Sequence, residues 1–296
     1  MRAAAVLVAA ALAGILAGCG SETRSESRIV VAAFYPLAWA VEEVAGEDVE
    51  VVNLTPPGAE PHDIELTARD VERVRDADLV LYLGEGFMPA LEEAVDGHER
   101  AIDLLEGQSL RVGGDEHLDE EHVGQSGEDR GRDPHVWLDP ELLGQIAGTI
   151  AGELGNREAA KDLVSRLEEL DAEFRRGLAT CERHEIVTSH AAFGYLADAY
   201  GLQQIALTGI SPEAEPSPRG LEKLVEEVKE EGATTVFFET LVSPRLAETV
   251  AREAGAETAA LDPLEGLGED ELAAGEDYFS VMRENLAALR EALGCR

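Results

Sequence analysis

The segment Asn156–Leu178, NREAAKDLVSRLEELDAEFRRGL, carries apolar residues at Leu163, Leu167, Leu170, Phe174 and Leu178. Steps of three and four over more than five turns keep those side chains on one helix face. At about 1.5 Å per residue such a helix is a long, stiff connector. Residues 155–180 are therefore expected to join two bodies, and the sequence on either side supplies them.

Ahead of the connector, Arg28–Phe34 is a short apolar strand with little alternation, the pattern of a strand covered on both faces. Leu37–Ala45 reads as a helix closed by Gly46, Asp48–Thr55 as a strand, and Thr67–Asp76 as a helix with Thr67 as N-cap and Asp70 three residues on. Asp78–Gly84 is a third strand, followed by a helix near Met88–Val95, a strand near Ala101–Leu104 and a helix over Glu141–Leu154. Behind the connector come strands at Glu185–His190, Gln204–Thr208, Thr234–Glu239 and Glu257–Asp262. Helices at Ala191–Tyr200, Leu221–Glu231, Pro244–Ala254 and Tyr278–Leu293 alternate with them or close the chain. Strand–helix alternation on both sides predicts an α/β protein of two lobes, each a parallel sheet with flanking helices, over 28–154 and 181–296. Within the first, 106–134 has no hydrophobic period and reads as an acidic, histidine-bearing loop that holds His117 and His122.

The N-terminus reads as an export signal. Arg2 precedes an Ala/Leu/Val/Ile run that ends Leu16-Ala17-Gly18-Cys19, with polar residues behind it. Leu-Ala-Gly-Cys resembles the bacterial lipobox, so residues 1–18 are expected to be a leader, Cys19 a lipidated residue and 19–27 a flexible tether. The protein is then exported and held at the outer face of the cytoplasmic membrane, or periplasmic. Of the remaining cysteines, Cys181 and Cys295 either pair, as an oxidising compartment favours, or stay as two free thiols. The 296 residues carry 24 basic and 61 acidic side chains, a net charge of −37. Phosphate binding needs basic patches and none appears, so nucleic acid is excluded as a partner.

Three histidines and an aspartate stand where strands or their loops have just ended. His62 follows the rigid Pro56-Pro57-Gly58-Ala59-Glu60-Pro61 run, His135 lies in Asp133-Pro-His-Val-Trp-Leu-Asp-Pro140, His190 ends one strand and Asp262 ends another. Ligands bind beyond the carboxyl ends of parallel strands. Two of these residues precede the connector and two follow it, so a shared metal would sit in the cleft between lobes. Three imidazoles and one carboxylate suit tetrahedral Zn²⁺; Mn²⁺ prefers more oxygen. Glu60, Glu239, His117 and His122 are candidate accessory groups, while Trp137 and Phe193 read as packing residues beside ligands. His98 and His184 sit in charged surface contexts and are not counted as ligands.

Gly58–His62, Asp133–Pro140, Thr188-Ser-His-Ala-Ala-Phe-Gly-Tyr195 and Leu261-Asp-Pro-Leu264 stand in an order that resembles the zinc/manganese solute-binding lipoproteins of bacterial ABC importers. The likeness covers essentially the whole chain after Cys19. It implies two lobes bridged by one backbone helix, metal in the cleft, and ligands at His62, His135, His190 and Asp262. It also implies a membrane permease as partner and a monomeric carrier. The manganese branch usually has a carboxylate where His190 stands, so the zinc branch is the nearer match. Zinc members often carry a more histidine-rich loop than the one holding His117 and His122, and some place a carboxylate directly beside the first histidine, where Pro61 stands here.

Other classes fit less well. A zinc hydrolase needs an open coordination position and a base, for which Glu239 could serve if Asp262 were not a ligand. No His-Glu-x-x-His helix and no Gly-x-Ser-x-Gly elbow is present, however. Nothing in the sequence identifies an adhesive surface. An organic ligand such as a siderophore would not need converging histidines.

Overall fold

A computed structural model of the chain describes residues 27–112, 131–212 and 216–296. The first sheet is built from β1 (Arg28–Ala32), β2 (Val49–Asn53), β3 (Leu79–Tyr82) and β4 (Ala101–Asp103), with α1 (Tyr35–Val44), α2 (Ala68–Asp76) and α3 (Pro89–Ala94) between them. A single 3₁₀ turn, Val136–Leu138, leads into α4 (Pro140–Leu154) and the connector α5 (Arg157–Leu178). The second sheet holds β5 (Glu185–Thr188), β6 (Gln203–Ala206), β7 (Thr235–Phe238) and β8 (Glu257–Ala260). Its helices are α6 (Gly194–Tyr200), α7 (Pro218–Glu230), α8 (Arg245–Ala254), α9 (Glu269–Ala274) and α10 (Tyr278–Leu293).

Both sheets are parallel and share one order, β2-β1-β3-β4 and β6-β5-β7-β8. The strand order reverses between β1 and β3 in one sheet and between β5 and β7 in the other. Loops leaving those strands diverge and open a crevice at their carboxyl ends. Thr188 Oγ1 donates to the His190 carbonyl at 2.8 Å, and Ala191 N donates to the Gly209 carbonyl at 2.9 Å. Those two bonds pull 190–193 into a turn, so the helix expected from Ala191 begins at Gly194. The other unforeseen element is α9, a short helix whose first turn is Glu269, Asp270 and Glu271. Gly268 N donates to Glu271 Oε2 at 2.6 Å and holds its start.

The connector buries Leu163, Leu167, Leu170, Phe174 and Leu178, together with Ala160. It is not a free strut. Gly155, at φ +77°, reverses the chain so that α5 runs back along α4, and α5 also touches α1, α6 and α10. A left-handed residue at this helix end favours glycine because a Cβ would add about 1 kcal/mol of clash. One apolar core, from Val30 and Leu81 through Phe174 to Leu261 and Met282, is continuous across both lobes; a smaller one lies under α7 and α8. Cys181 and Cys295 form a disulfide that joins the end of α5 to the end of the chain. Among the described residues no helix is long and apolar enough to cross a membrane. Cys19, the expected leader, His117 and His122 lie outside the described residues.

Candidate metal centre

His62 is delivered by the loop after β2, His135 by the 3₁₀ turn after the acidic segment, and His190 by the turn after β5. The fourth member of the cluster is Glu265, in the loop after β8. His135, His190 and Glu265 are buried; the His62 side chain keeps 6% exposure. One Glu265 oxygen, Oε1, stands 3.3 Å from His62 Nε2, 3.2 Å from His135 Nε2 and 3.1 Å from His190 Nε2. The Nε2 atoms of His135 and His190 are 3.4 Å apart. A tetrahedron with bonds of about 2.0 Å has edges of roughly 3.3 Å, so these separations suit four donors around one Zn²⁺.

The outer ring nitrogens fix the tautomers. His135 Nδ1 lies 2.8 Å from Asp133 Oδ1, and His190 Nδ1 lies 2.8 Å from Glu239 Oε2. An ionised carboxylate only accepts, so both Nδ1 atoms carry the proton. The same carboxyl groups accept from the backbone N–H of His135 and of His190, which locks ring and main chain together. In the neutral imidazoles the Nε2 lone pairs then face the Glu265 carboxylate. Acceptors facing acceptors require a cation among them, a proton or a metal. Carboxylate–histidine pairs of this kind orient metal ligands and raise their basicity.

Electrostatics follow from that crowding. Burial works against charging His190, but Glu239 and Glu265 outweigh it and hold its pKa well above the ordinary imidazole value. His135 is raised by Asp133 and Glu265, again against burial, whereas burial lowers His62. Burial alone would raise Glu265; the three histidines instead bring it well below the usual carboxylate range. Glu60, beside the cluster, is pushed up to about 9 by burial and by the Glu265 charge. Its Oε1 accepts from His62 N at 3.0 Å, and its Oε2 is buried without a hydrogen-bond partner.

Asp262, expected from the sequence as the fourth ligand, lies outside this cluster, and Glu265 stands in its place. The two Asp262 oxygens are taken up locally: Oδ1 accepts from Leu264 N at 2.6 Å and Oδ2 from Thr240 Oγ1 at 2.8 Å. Its backbone is clipped to the Asn285 side chain on α10 by bonds of 2.9 and 2.7 Å. Asp262 closes the turn that presents Glu265, as aspartate does when its side chain bonds a backbone N–H two residues on. The signal that could have found Glu265 is that turn chemistry: an Asp-Pro that makes a turn spends its carboxylate there, and the next acid is Glu265. Glu239 serves His190 through Nδ1, and Asp133, two residues before His135, is an orienting group that sequence reasoning passed over. His98 and His184 lie apart from the cluster; His98 Nδ1 accepts from Arg100 N.

The family model for the zinc-uptake complex component A periplasmic (ZnuA) matches residues 30–292. The chain belongs to the ZnuA family. Zinc-binding lipoprotein AdcA of Streptococcus pneumoniae (strain ATCC BAA-255 / R6) is 34% identical over 305 residues, an alignment covering 98% of this chain and 61% of AdcA. The chain thus spans about three fifths of that curated relative. High-affinity zinc uptake system protein ZnuA of Bacillus subtilis (strain 168) is 33% identical over 308 residues, covering 97% of each chain. Among solved structures, the Zn(II)-bound ZnuA-like domain of Streptococcus pneumoniae AdcA superposes with a TM-score of 0.73 at 33% identity, covering 90% of this chain and 99% of the other. The laminin-binding protein Lmb of Streptococcus agalactiae, described as having adhesin and metal-transporting activity, gives 0.77 at 30% identity over the same shares. The two parallel sheets found here are the architecture of ZnuA-like structures.

Proposed function

We propose that this protein captures Zn²⁺ outside the cytoplasm and delivers it to an ABC-type metal permease, with His62, His135, His190 and Glu265 as the four donors. The observation that carries the reading is the buried cluster in which a Glu265 oxygen stands 3.1–3.3 Å from three imidazole nitrogens contributed by both lobes. Three nitrogens and one oxygen at tetrahedral spacing favour Zn²⁺ over Mn²⁺, which prefers more oxygen donors. Membership of the ZnuA family supports the same reading. Four protein donors leave no coordination position for a reacting water, so the cargo is carried rather than used in catalysis. A leader over 1–18, a lipid anchor at Cys19, a tether over 19–27 and a monomeric carrier complete the proposal.

Zinc arrives as a dication where Glu265 and the raised imidazoles already hold protons and negative charge. Binding therefore releases protons, and His62, the donor nearest solvent, is the side from which the ion enters. Chelator-competition titration with Zn²⁺ and Mn²⁺ on the wild type, His190→Ala and Glu265→Ala tests this. One tight zinc, weak manganese and a loss of about a hundredfold or more in each variant is the expected outcome. Tight manganese binding, or zinc affinity unchanged in both variants, contradicts it.

A further inference from the structure

Glu265 reaches the histidines on a backbone that is not relaxed. Leu264, immediately before it, sits at φ +56°, in the left-handed region that branched side chains rarely adopt. Strain of this sort persists only where surrounding contacts over-determine the conformation. On the C-terminal side those contacts are Asp262 with Leu264 N, Thr240 and Asn285. From the N-terminal lobe comes one more. The Trp137 indole Nε1 donates to the Pro263 carbonyl at 2.7 Å, fully buried.

Trp137 is well placed for this. It lies two residues after His135, with ring centroids 5.1 Å apart, and packs in a triangle with Phe34 and Phe87, the latter also against His62. Its own carbonyl accepts from the Tyr278 hydroxyl at 2.7 Å. Among the described residues, the indole bond is the hydrogen bond to residues 262–264 that crosses from the lobe carrying His62 and His135. It links a histidine donor and the carboxylate donor through four intervening residues, Val136, Trp137, Pro263 and Leu264, all of them buried.

We propose that Trp137 is a positioning residue: its indole N–H holds the strained Asp262–Glu265 turn in register with His135, so that the Glu265 carboxylate meets the three imidazoles at bonding distance from one ion. Removing the N–H leaves a buried carbonyl unpaired and frees the turn to relax away from the left-handed conformation. Glu265 then withdraws, and the site becomes a three-histidine site. The inference rests on Glu265 being a zinc donor, and the test separates the two ideas.

Zinc affinity is measured by chelator competition for the wild type, Trp137→Phe, Glu265→Ala and the double variant. Phenylalanine keeps an aromatic ring in the pocket and loses the donor. Trp137→Phe alone is expected to weaken zinc binding about ten- to a hundredfold, the usual effect of losing a group that orients a metal ligand. In the Glu265→Ala background the same substitution is expected to change affinity less than about threefold. Equal losses in both backgrounds overturn the positioning role and leave the ligand set standing. Wild-type affinity in Glu265→Ala overturns the ligand set and the proposal with it. A measurement that needs no Trp137 substitution guards against misfolding: the indole N–H proton exchange of Trp137 in the zinc-loaded protein. Slow exchange that becomes faster in Glu265→Ala agrees with the coupling; rapid exchange in the wild type contradicts it.

Discussion

At His190 burial and charge oppose each other, and charge wins. Glu239 and Glu265 raise its affinity for a proton, and Asp133 and Glu265 do the same at His135. A group whose pKa is raised keeps its proton to higher pH, so protons compete with zinc more strongly as pH falls. Zinc affinity is therefore predicted to decline steadily on acidification, beginning above the ordinary imidazole value of about 6.5. A chelator titration repeated between about pH 8 and 5.5 checks it, and a flat profile excludes imidazole ligation. Glu60 tells the converse story: with its pKa pushed up to about 9, it is uncharged at neutral pH. Glu60→Gln should change zinc affinity less than about threefold, and Glu265→Gln should reduce it at least tenfold. If the two variants lose affinity alike, Glu60 is a charged donor and the assignment of Glu265 fails. The histidines were legible in the sequence because each stands at a strand or loop end behind a Pro or Ser with nothing else to do. Glu265 was not, because choosing between it and Asp262 requires knowing that the Asp262 oxygens are spent on Leu264 N and Thr240.

Among the elements, α5 was the most legible and the least well understood. Its apolar stripe predicted the buried face residue by residue, since a 22-residue helix repeats its period often enough to be unmistakable. That the stripe packs on α4, α1, α6 and α10, rather than spanning open space, needs tertiary structure. Short elements were less legible: α9 offers no period in six residues, and the start of α6 was displaced by side-chain and backbone bonds around His190. The disulfide at the end of α5 closes a segment of 114 residues that contains the whole second sheet. Replacing Cys181 and Cys295 with alanine is predicted to lower stability by about 2–4 kcal/mol, read by urea unfolding. Zinc affinity should not change, because the bridge lies on the chain's end and not on the site. A loss of zinc binding without loss of stability contradicts that separation.

Across the whole molecule, one apolar core runs through both lobes and the Trp137–Pro263 bond crosses between them. Wide hinge opening would expose that core, so metal loss is predicted to alter loops and leave the lobes in place. Small-angle scattering of zinc-loaded and chelator-treated protein should give the same radius of gyration within error, and a marked expansion on metal removal contradicts this. The chain's net charge of −37 repels polyanions, a property separate from the buried site. The proposed ligand set fixes the position of one ion. A crystal of the zinc-loaded protein, with anomalous scattering recorded at the zinc edge, measures it directly. The prediction is a single strong peak about 2.0–2.2 Å from Nε2 of His62, His135 and His190 and from a Glu265 oxygen. A peak coordinated by Asp262 in place of Glu265, or one lying away from the three histidines, would contradict it.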